Sequence, residues 1–308
     1  MKRAALILFA ALLPIAARTR DLAPGQFVSV VELQVALDRH GFGVGFIDNR
    51  DGQKTQMALA DFKASLNLSD SDDLRGKLGI RDYPAVVEYE ITQQDLDQIG
   101  QAPADWIEAS RVSAMACESL SEVLSEKFHV SEDYLHRLNP EIQDWNSTNI
   151  VAVRIRVPNV LSGERLAAAA KIVVDCARYR MRALDDGGRI IASFPCSVAR
   201  EGKAAPTGEL HVATCAPSPN YTFDPKIYPE SPRAQKVGGK LIIPPGPNNP
   251  VGVYWLGLNL PGFGIHGTPH PETIGRRESH GCFRLTNWDI IRLASMVTCS
   301  TPVEVTGF

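Results

Sequence analysis

The sequence predicts a multidomain chain: a small helical unit, an α+β module, and a mainly-β domain with a terminal helix. Three observations predict it. At 308 residues the chain exceeds what one core ordinarily organises, so two or three domains are expected. Helical periodicity dominates the first half. Short β-type runs dominate the second, where most of the 21 prolines and 24 glycines fall. A hydrophobic content of 44% and a charged content of 22% are those of ordinary globular material. The net charge of −3 gives no argument for a nucleic-acid partner.

The chain opens on Met1-Lys2-Arg3, a basic start, followed by an unbroken apolar run from Ala4 to Leu13 and small residues at Pro14-Ile15-Ala16-Ala17. That order predicts a cleaved secretory signal over residues 1–17, too short to span a bilayer; the alternative is a buried N-terminal helix. No cysteine stands near the cleavage point, so no lipid anchor is expected. No later stretch is apolar enough for a membrane span, and the mature protein is expected to be exported.

Residues 24–70 form the predicted helical unit. Val30, Val31, Leu33, Gln34 and Leu37 recur at helical spacing, Gly41-Phe42-Gly43-Val44-Gly45 breaks the helix, and Thr55 starts a second one with Ala58, Leu59 and Phe62 on its apolar face. The order L-Q-x-x-L-x-x-x-G-F, then D, then T-x-x-A-L-x-x-F resembles the small helical peptidoglycan-binding domain. It departs from that pattern at Asn49-Arg50-Asp51-Gly52 and at Lys63.

Residues 88–158 form the predicted α+β module. Glu88 to Thr92 reads as a short strand, and Asp105 as the cap of a helix near Trp106. Ser119 to Phe128 is amphipathic, Ser131 caps a second helix carrying Glu132 and Asp133 at its positive end, and a strand from Val151 to Val157 stops at Pro158. Helix, turn, helix, Asn139-Pro140 and terminal strand resemble the LysM carbohydrate-binding repeat, with an insertion before the first helix. His129 and His136 read as surface or half-buried residues. Residues 159–169 read as a linker, helical if its alanines prevail.

From residue 170 to 308 the texture is β. Runs at 171–174, 179–184, 189–194 and 210–214 read as strands, with Asp185-Asp186-Gly187-Gly188 as a hairpin turn. Val253 to Leu256 leads toward His266, and a last helix over 289–297 buries Ile290, Leu293, Ala294 and Val297.

The chemistry gathers near the end of this domain. Of seven histidines, His266, His270 and His280 fall close to Cys282. A cysteine attacks only as thiolate, and a neighbouring imidazole is the usual means of making one. Gly281 permits a tight turn that could aim its own amide and that of Cys282 at an oxyanion, and Arg284 offers a planar fork for a carboxylate. Two other readings stay open on residue types alone: a zinc site made of these histidines and the thiol, disfavoured by the glycine and proline in His266-Gly267-Thr268-Pro269-His270, and a purely structural cluster, the better reading for His270.

Ile265-His266-Gly267-Thr268 followed by Ser279-His280-Gly281-Cys282-Phe283-Arg284 resembles the active-site signature of the L,D-transpeptidase (YkuD-type) family, and Ala205-Pro206-Thr207-Gly208, Pro244 to Gly252 and Thr301-Pro302-Val303 match its flanks. Cys299-Ser300 departs from it, standing where glycine is common. The resemblance implies Cys282 as nucleophile and His266 as base, with the Gly267 carbonyl orienting the imidazole. It further implies that His280 shapes the pocket, Gly281 and Cys282 supply oxyanion amides, and Arg284, with Ser279, positions the donor peptide. Tyr254 is a candidate aid to the oxyanion. The implied reaction is acyl transfer from a peptidoglycan tetrapeptide stem, releasing D-alanine, onto an amine, with no cofactor. Stem peptides and glycan are the implied partners, in the periplasm or cell wall. The same site resolving with water would be an L,D-carboxypeptidase, and with a protein lysine a wall-protein anchor. A non-catalytic peptidoglycan-binding protein is the rival from another class.

Export makes disulfides permissible among Cys117, Cys176, Cys196, Cys215 and Cys299. At most two can form if Cys282 stays reduced, and spacing does not say which. Cys196 and Cys215, in strand-like runs, read as small buried hydrophobes.

Overall fold

The computed structural model describes residues 19–21, 27–147, 149–161, 163, 165–203, 206–227 and 235–307. The expected signal segment 1–17 and Ala205 lie outside them. In the N-terminal half, helix α1 (Val30–Arg39) starts at a capping box in which Ser29 and Glu32 satisfy each other's free amides. Helix α2 (Gln53–Ser65) starts two residues before Thr55, whose hydroxyl accepts instead from the buried Gln34 side chain at 3.1 Å. Gln34 also donates to Asp48 at 2.9 Å and accepts from the Asn49 amide at 2.9 Å. One buried amide thus fixes the turn that joins the two helices.

Strand β1 (Val86–Glu90) pairs antiparallel with β2 (Arg154–Pro158), Val86 facing Pro158 and Glu90 facing Arg154. β1 stops before Thr92 because Thr92 caps a helical turn at Gln93–Leu96 through Asp95. β2 begins later than Val151, since Ala152 holds φ +66°, outside the extended region. Between the strands lie α3 (Leu120–Phe128) and α4 (Glu132–Leu138), capped by Ser119 and Ser131. Asn139 then ties the end of α4 to β2, donating to the Leu135 and Arg156 carbonyls at 2.9 Å and accepting from the Arg156 amide at 2.6 Å. A single apolar cluster runs through Leu37, Ile47, Phe62, Leu124, Leu135 and Val157, so the helical unit and the α+β module share one core. His129, expected at or near the surface, is buried. It ends α3 in the left-handed conformation, pairs with Asp38 at 3.0 Å and stacks on Trp288 at 5.2 Å. His136 is exposed, bonded to Ser121 and stacked on Trp145.

The C-terminal half is a mixed eight-stranded sheet. Its strands are β3 (Lys171–Asp175), β4 (Arg180–Leu184), β5 (Ile190–Pro195), β6 (Leu210–Pro217), β7 (Tyr254–Leu258), β8 (Gly264–His266), β9 (Phe283–Arg284) and β10 (Pro302–Thr306). The order across the sheet is β9-β8-β7-β6-β10-β3-β4-β5, with β8–β9 and β10–β3 parallel. The expected hairpin turn is present, the Gly188 amide donating to the Asp185 carbonyl at 2.9 Å. Residues 165–169 are not helical; a few alanines without a cap cannot nucleate a helix. Helix α5 (Asn287–Met296) is capped by Thr286 and buries Ile290, Leu293 and Met296. Ser300 takes φ +97°, a conformation that favours glycine. Beside it Cys299 lies 3.5 Å from Cys215, both as thiols. Cys215 is only half-buried, unlike the expected core cysteine, whereas Cys196 is fully buried. Among the described residues no helix is long and apolar enough to cross a membrane.

The two halves are tied by buried charge. Arg180 on β4 donates to Asp61 of α2 at 3.1 Å, to the Gly43 carbonyl at 2.8 Å and to Ser193 at 2.7 Å, and Arg182 donates to the other Asp61 oxygen at 2.8 Å. The Gly43 amide donates to the Ser193 carbonyl at 2.7 Å, so the turn after α1 extends the edge of the sheet. Arg292 of α5 reaches Asp38 of α1 at 2.7 Å. Arg180, Asp61 and Asp38 each carry several hydrogen bonds, which is what makes their burial affordable.

Asn287 packs the loop that follows β8. Its side-chain oxygen accepts from the Val253 amide at 3.2 Å, and its amide nitrogen donates to the Pro247 carbonyl at 3.1 Å and to Glu126 at 3.2 Å. Gly252 and Gly267 meet around it. A Cβ on Gly252, which holds φ +63°, would stand 2.2 Å from the Asn287 oxygen and 2.5 Å from the Gly267 backbone. Gly188 has a similar backbone, φ +76°, with nothing within 4 Å. Gly188→Ala should therefore cost only the left-handed backbone penalty of about 1–2 kcal/mol, and Gly252→Ala that penalty plus the overlap. Calorimetry should find Gly252→Ala melting well below Gly188→Ala; equal melting temperatures would contradict this close approach.

Candidate active site

Strands β8 and β9 lie parallel, Ile265 facing Phe283 and His266 facing Arg284. The Leu285 amide donates to the His266 carbonyl at 2.9 Å, and β7 pairs along the other side of β8 with Trp255 opposite His266. The Trp255 ring stacks on the imidazole at 5.5 Å. His266 is 4% exposed. Its Nδ1 lies 2.6 Å from the Gly267 carbonyl oxygen, and only a protonated Nδ1 can make that bond, so the neutral ring keeps its lone pair on Nε2. Burial, with the Arg284 guanidinium beside it, pushes the His266 pKa down to about 4, against the smaller opposing pull of the Gly267 bond. The ring is neutral at neutral pH.

Cys282 sits on a tight turn. Gly281 holds φ +143°, a conformation that favours glycine. The buried Ser279 hydroxyl closes the turn from inside, donating to the Cys282 carbonyl at 2.6 Å and accepting from the Gly281 amide at 3.2 Å. The Gly281 amide is therefore engaged within the turn and not directed at the cavity. The Cys282 thiol lies 3.5 Å from the Gly262 carbonyl and donates to it. Burial raises the thiol pKa above its ordinary value, more than a backbone hydrogen bond with Gly264 and the charge of Arg284 lower it. Thiol and imidazole are both uncharged at rest.

A cavity of about 670 Å³ brings together His266, Ser279, His280, Cys282 and Arg284, with Trp255 and Tyr221 as aromatic walls. The Nε atom of Arg284 is buried with no hydrogen-bond partner among the described residues. Tyr254 does not line this cavity. Neighbours on a strand point to opposite faces, and on β7 it is Trp255 that stacks against His266, while Tyr254 lies close enough to Cys215 and Cys299 for them to raise its pKa together with burial. Sequence reasoning missed Trp255, Tyr221 and Asn287; strand alternation says only that Tyr254 and Trp255 point to opposite faces, and the pairing with β8 selects Trp255. His270 stands apart with its side chain exposed, 3.5 Å from Glu272. Among the described residues no three or more of His, Cys, Asp and Glu are grouped to hold a metal ion, so the zinc reading has no ligand set there.

Residues 169–305 match the family described as the L,D-transpeptidase catalytic domain, YkuD. The YkuD protein of Bacillus licheniformis is 42% identical over 84 residues, covering 26% of this chain and 48% of that protein. Bacillus subtilis YkuD is 32% identical over 117 residues, 38% of this chain and 54% of the relative. Escherichia coli YbiS is 33% identical over 134 residues, 43% of each. All three carry L,D-transpeptidase in their names, and the chain spans about half the length of the curated relatives it matches. The domain built on β3 to β10 and α5, which holds the Cys282–His266 cavity, is an L,D-transpeptidase catalytic domain of the YkuD type.

Proposed function

We propose that this chain is a cell-wall L,D-transpeptidase with Cys282 as nucleophile and His266 as base. The observation that carries the reading is the shared cavity. It holds a half-buried thiol and a neutral imidazole whose Nδ1 proton is fixed by Gly267, leaving Nε2 as the basic atom. As Sγ attacks the carbonyl on the L-centre of a diamino acid in a tetrapeptide stem, Nε2 takes the thiol proton. The bond to terminal D-alanine then breaks, His266 returns the proton to the departing amine, and a thioester remains. An acceptor amine attacks that thioester, losing a proton to His266. The carbon–sulfur bond breaks, and the proton passes to Sγ.

The remaining residues take supporting roles. The Cys282 amide stabilises the developing oxyanion. Arg284, with a buried donor still unpaired, holds the stem's carboxylate. Gly281 and Ser279 shape the turn that presents the thiol, and His280 forms part of its wall. The helical and α+β modules hold wall stems or glycan and raise the local substrate concentration, in keeping with export to the periplasm or cell wall. None of these steps calls on a cofactor.

Cys282→Ala should abolish D-alanine release from purified tetrapeptide muropeptides, followed by chromatography; undiminished release would overturn the thiol mechanism. His266→Gln should slow acylation by about 10²–10⁴-fold while leaving Cys282 in place. The base acts only as free imidazole. With its pKa near 4, the acylation rate should persist as pH falls through 6.5 and be lost only on passing through about 4. A rate already halved near 6.5 would contradict the buried, neutral base.

A further inference from the structure

A second groove leaves the thiol cavity on the other side of the His266-Gly267-Thr268 loop. It encloses about 720 Å³, and Arg284 and Pro250 line both spaces. One wall is catalytic-domain loop, Asn248 and Thr268 to His270. The other belongs to the N-terminal half: Asp105, Trp106 and Met115 from the insertion between β1 and α3, then Glu118 and Glu122. The insertion is fastened in place. The Met115 amide donates to the Pro245 carbonyl at 2.8 Å, the Asn248 amide donates to the Met115 carbonyl at 3.0 Å, and Trp106 stacks on Phe223 at 4.3 Å.

The groove continues past Glu122 and Pro269 into a pocket of about 140 Å³ lined by Ser125, Glu126, Glu132, Glu272 and Trp288. Ser125 and Trp288, 6% and 5% exposed, each present a buried polar atom with no hydrogen-bond partner among the described residues. The walls of groove and pocket carry five carboxylates, Asp105, Glu118, Glu122, Glu132 and Glu272, together with the buried carboxyl of Glu126, against the single guanidinium of Arg284. Burial pushes Glu126 up to about 8, which leaves it mostly a neutral carboxyl at neutral pH, and raises Glu132 against the smaller opposing pull of His136.

We propose that this groove is the acceptor channel and that it selects a short, flexible peptide bearing a primary ammonium, as a second wall stem would present. The proposal rests on the acyl-transfer reading of Cys282 and assigns acceptor choice to the N-terminal half of the chain. Charge complementarity and continuity with the thiol cavity argue for that occupant. An ammonium brings three donors and a positive charge to walls rich in acceptors, while Trp288 Nε1, a donor only, suits a carbonyl or carboxylate of the same ligand. A groove walled by the insertion on one side and the catalytic-domain loop on the other suits a free peptide better than the surface of a folded protein. For transfer, the ammonium gives one proton to solvent. The free amine then attacks the thioester carbon, its second proton passes through His266 to Sγ, and the carbon–sulfur bond breaks.

The test separates the half-reactions. Wild type, Glu122→Gln and Glu132→Gln are loaded on Cys282 with a tetrapeptide donor, then chased with an amine-bearing stem peptide, its N-acetylated form, or a folded lysine-rich protein. Binding of the stem peptide to unacylated protein is titrated in parallel. The variants should raise the acceptor KM about tenfold or more relative to the donor KM, since a lost charged hydrogen bond is worth about 1.5–3 kcal/mol. Peptide binding should weaken to match, and acetylation should abolish it. Donor and acceptor KM moving together, or neither moving, would overturn the channel. Preference for the folded protein would overturn the occupant. Failure to load Cys282 would instead remove the acyl-transfer reading, and the binding titration would still decide what the groove holds.

Discussion

The parallel pairing of β8 with β9 is the constraint on which the site depends. His266 ends one strand and Cys282 immediately precedes the other, so the register that sets His266 opposite Arg284 also brings histidine and thiol to one cavity. Parallel neighbours need a crossover, and here residues 267–282 supply it without an α-helix. That connection is held by packing, through Asn287 at the Gly252–Gly267 contact and through Ser279 inside the turn before the thiol. The geometry of the site is therefore a tertiary property.

Burial decides the electrical state of that pair. It lowers the imidazole, raises the thiol, and leaves both neutral at rest. Charges appear only as the reaction proceeds, when the proton crosses to Nε2 and Arg284 stands close enough to the thiol to favour developing thiolate. The same guanidinium opposes a resident imidazolium, so one residue favours the thiol's ionisation while keeping the base free.

Gly281 was legible because its chemistry is local, a tight turn before the thiol. Caps at Ser131 and Asp105 were legible for the same reason, since a cap bonds within its own first turn. The roles of Gly267 and Ser279 came only from the resemblance, and Ser279, expected to position the donor peptide, bonds inside the turn before the thiol. What was not legible depends on distant partners. Nothing near His129 announces Asp38 and Trp288, which bury it. The choice between Tyr254 and Trp255 turns on which face of β7 meets β8, and pairing register alone decides that. The insertion before α3 read as unassigned length because its partners, Pro245 and Phe223, lie far along the chain.

Arg180, Asp61, Arg292 and Asp38 join the N-terminal half to the catalytic sheet, so the groove beside Arg284 has one wall from each half. The account nevertheless stands or falls on the state of His266. The direct measurement is nitrogen NMR of ¹⁵N-histidine-labelled protein across pH, with His266 assigned by its Gln variant. The account predicts a neutral ring protonated on Nδ1 at neutral pH, titrating near 4. A ring protonated on Nε2, or titrating near the ordinary value of about 6.5, would contradict it.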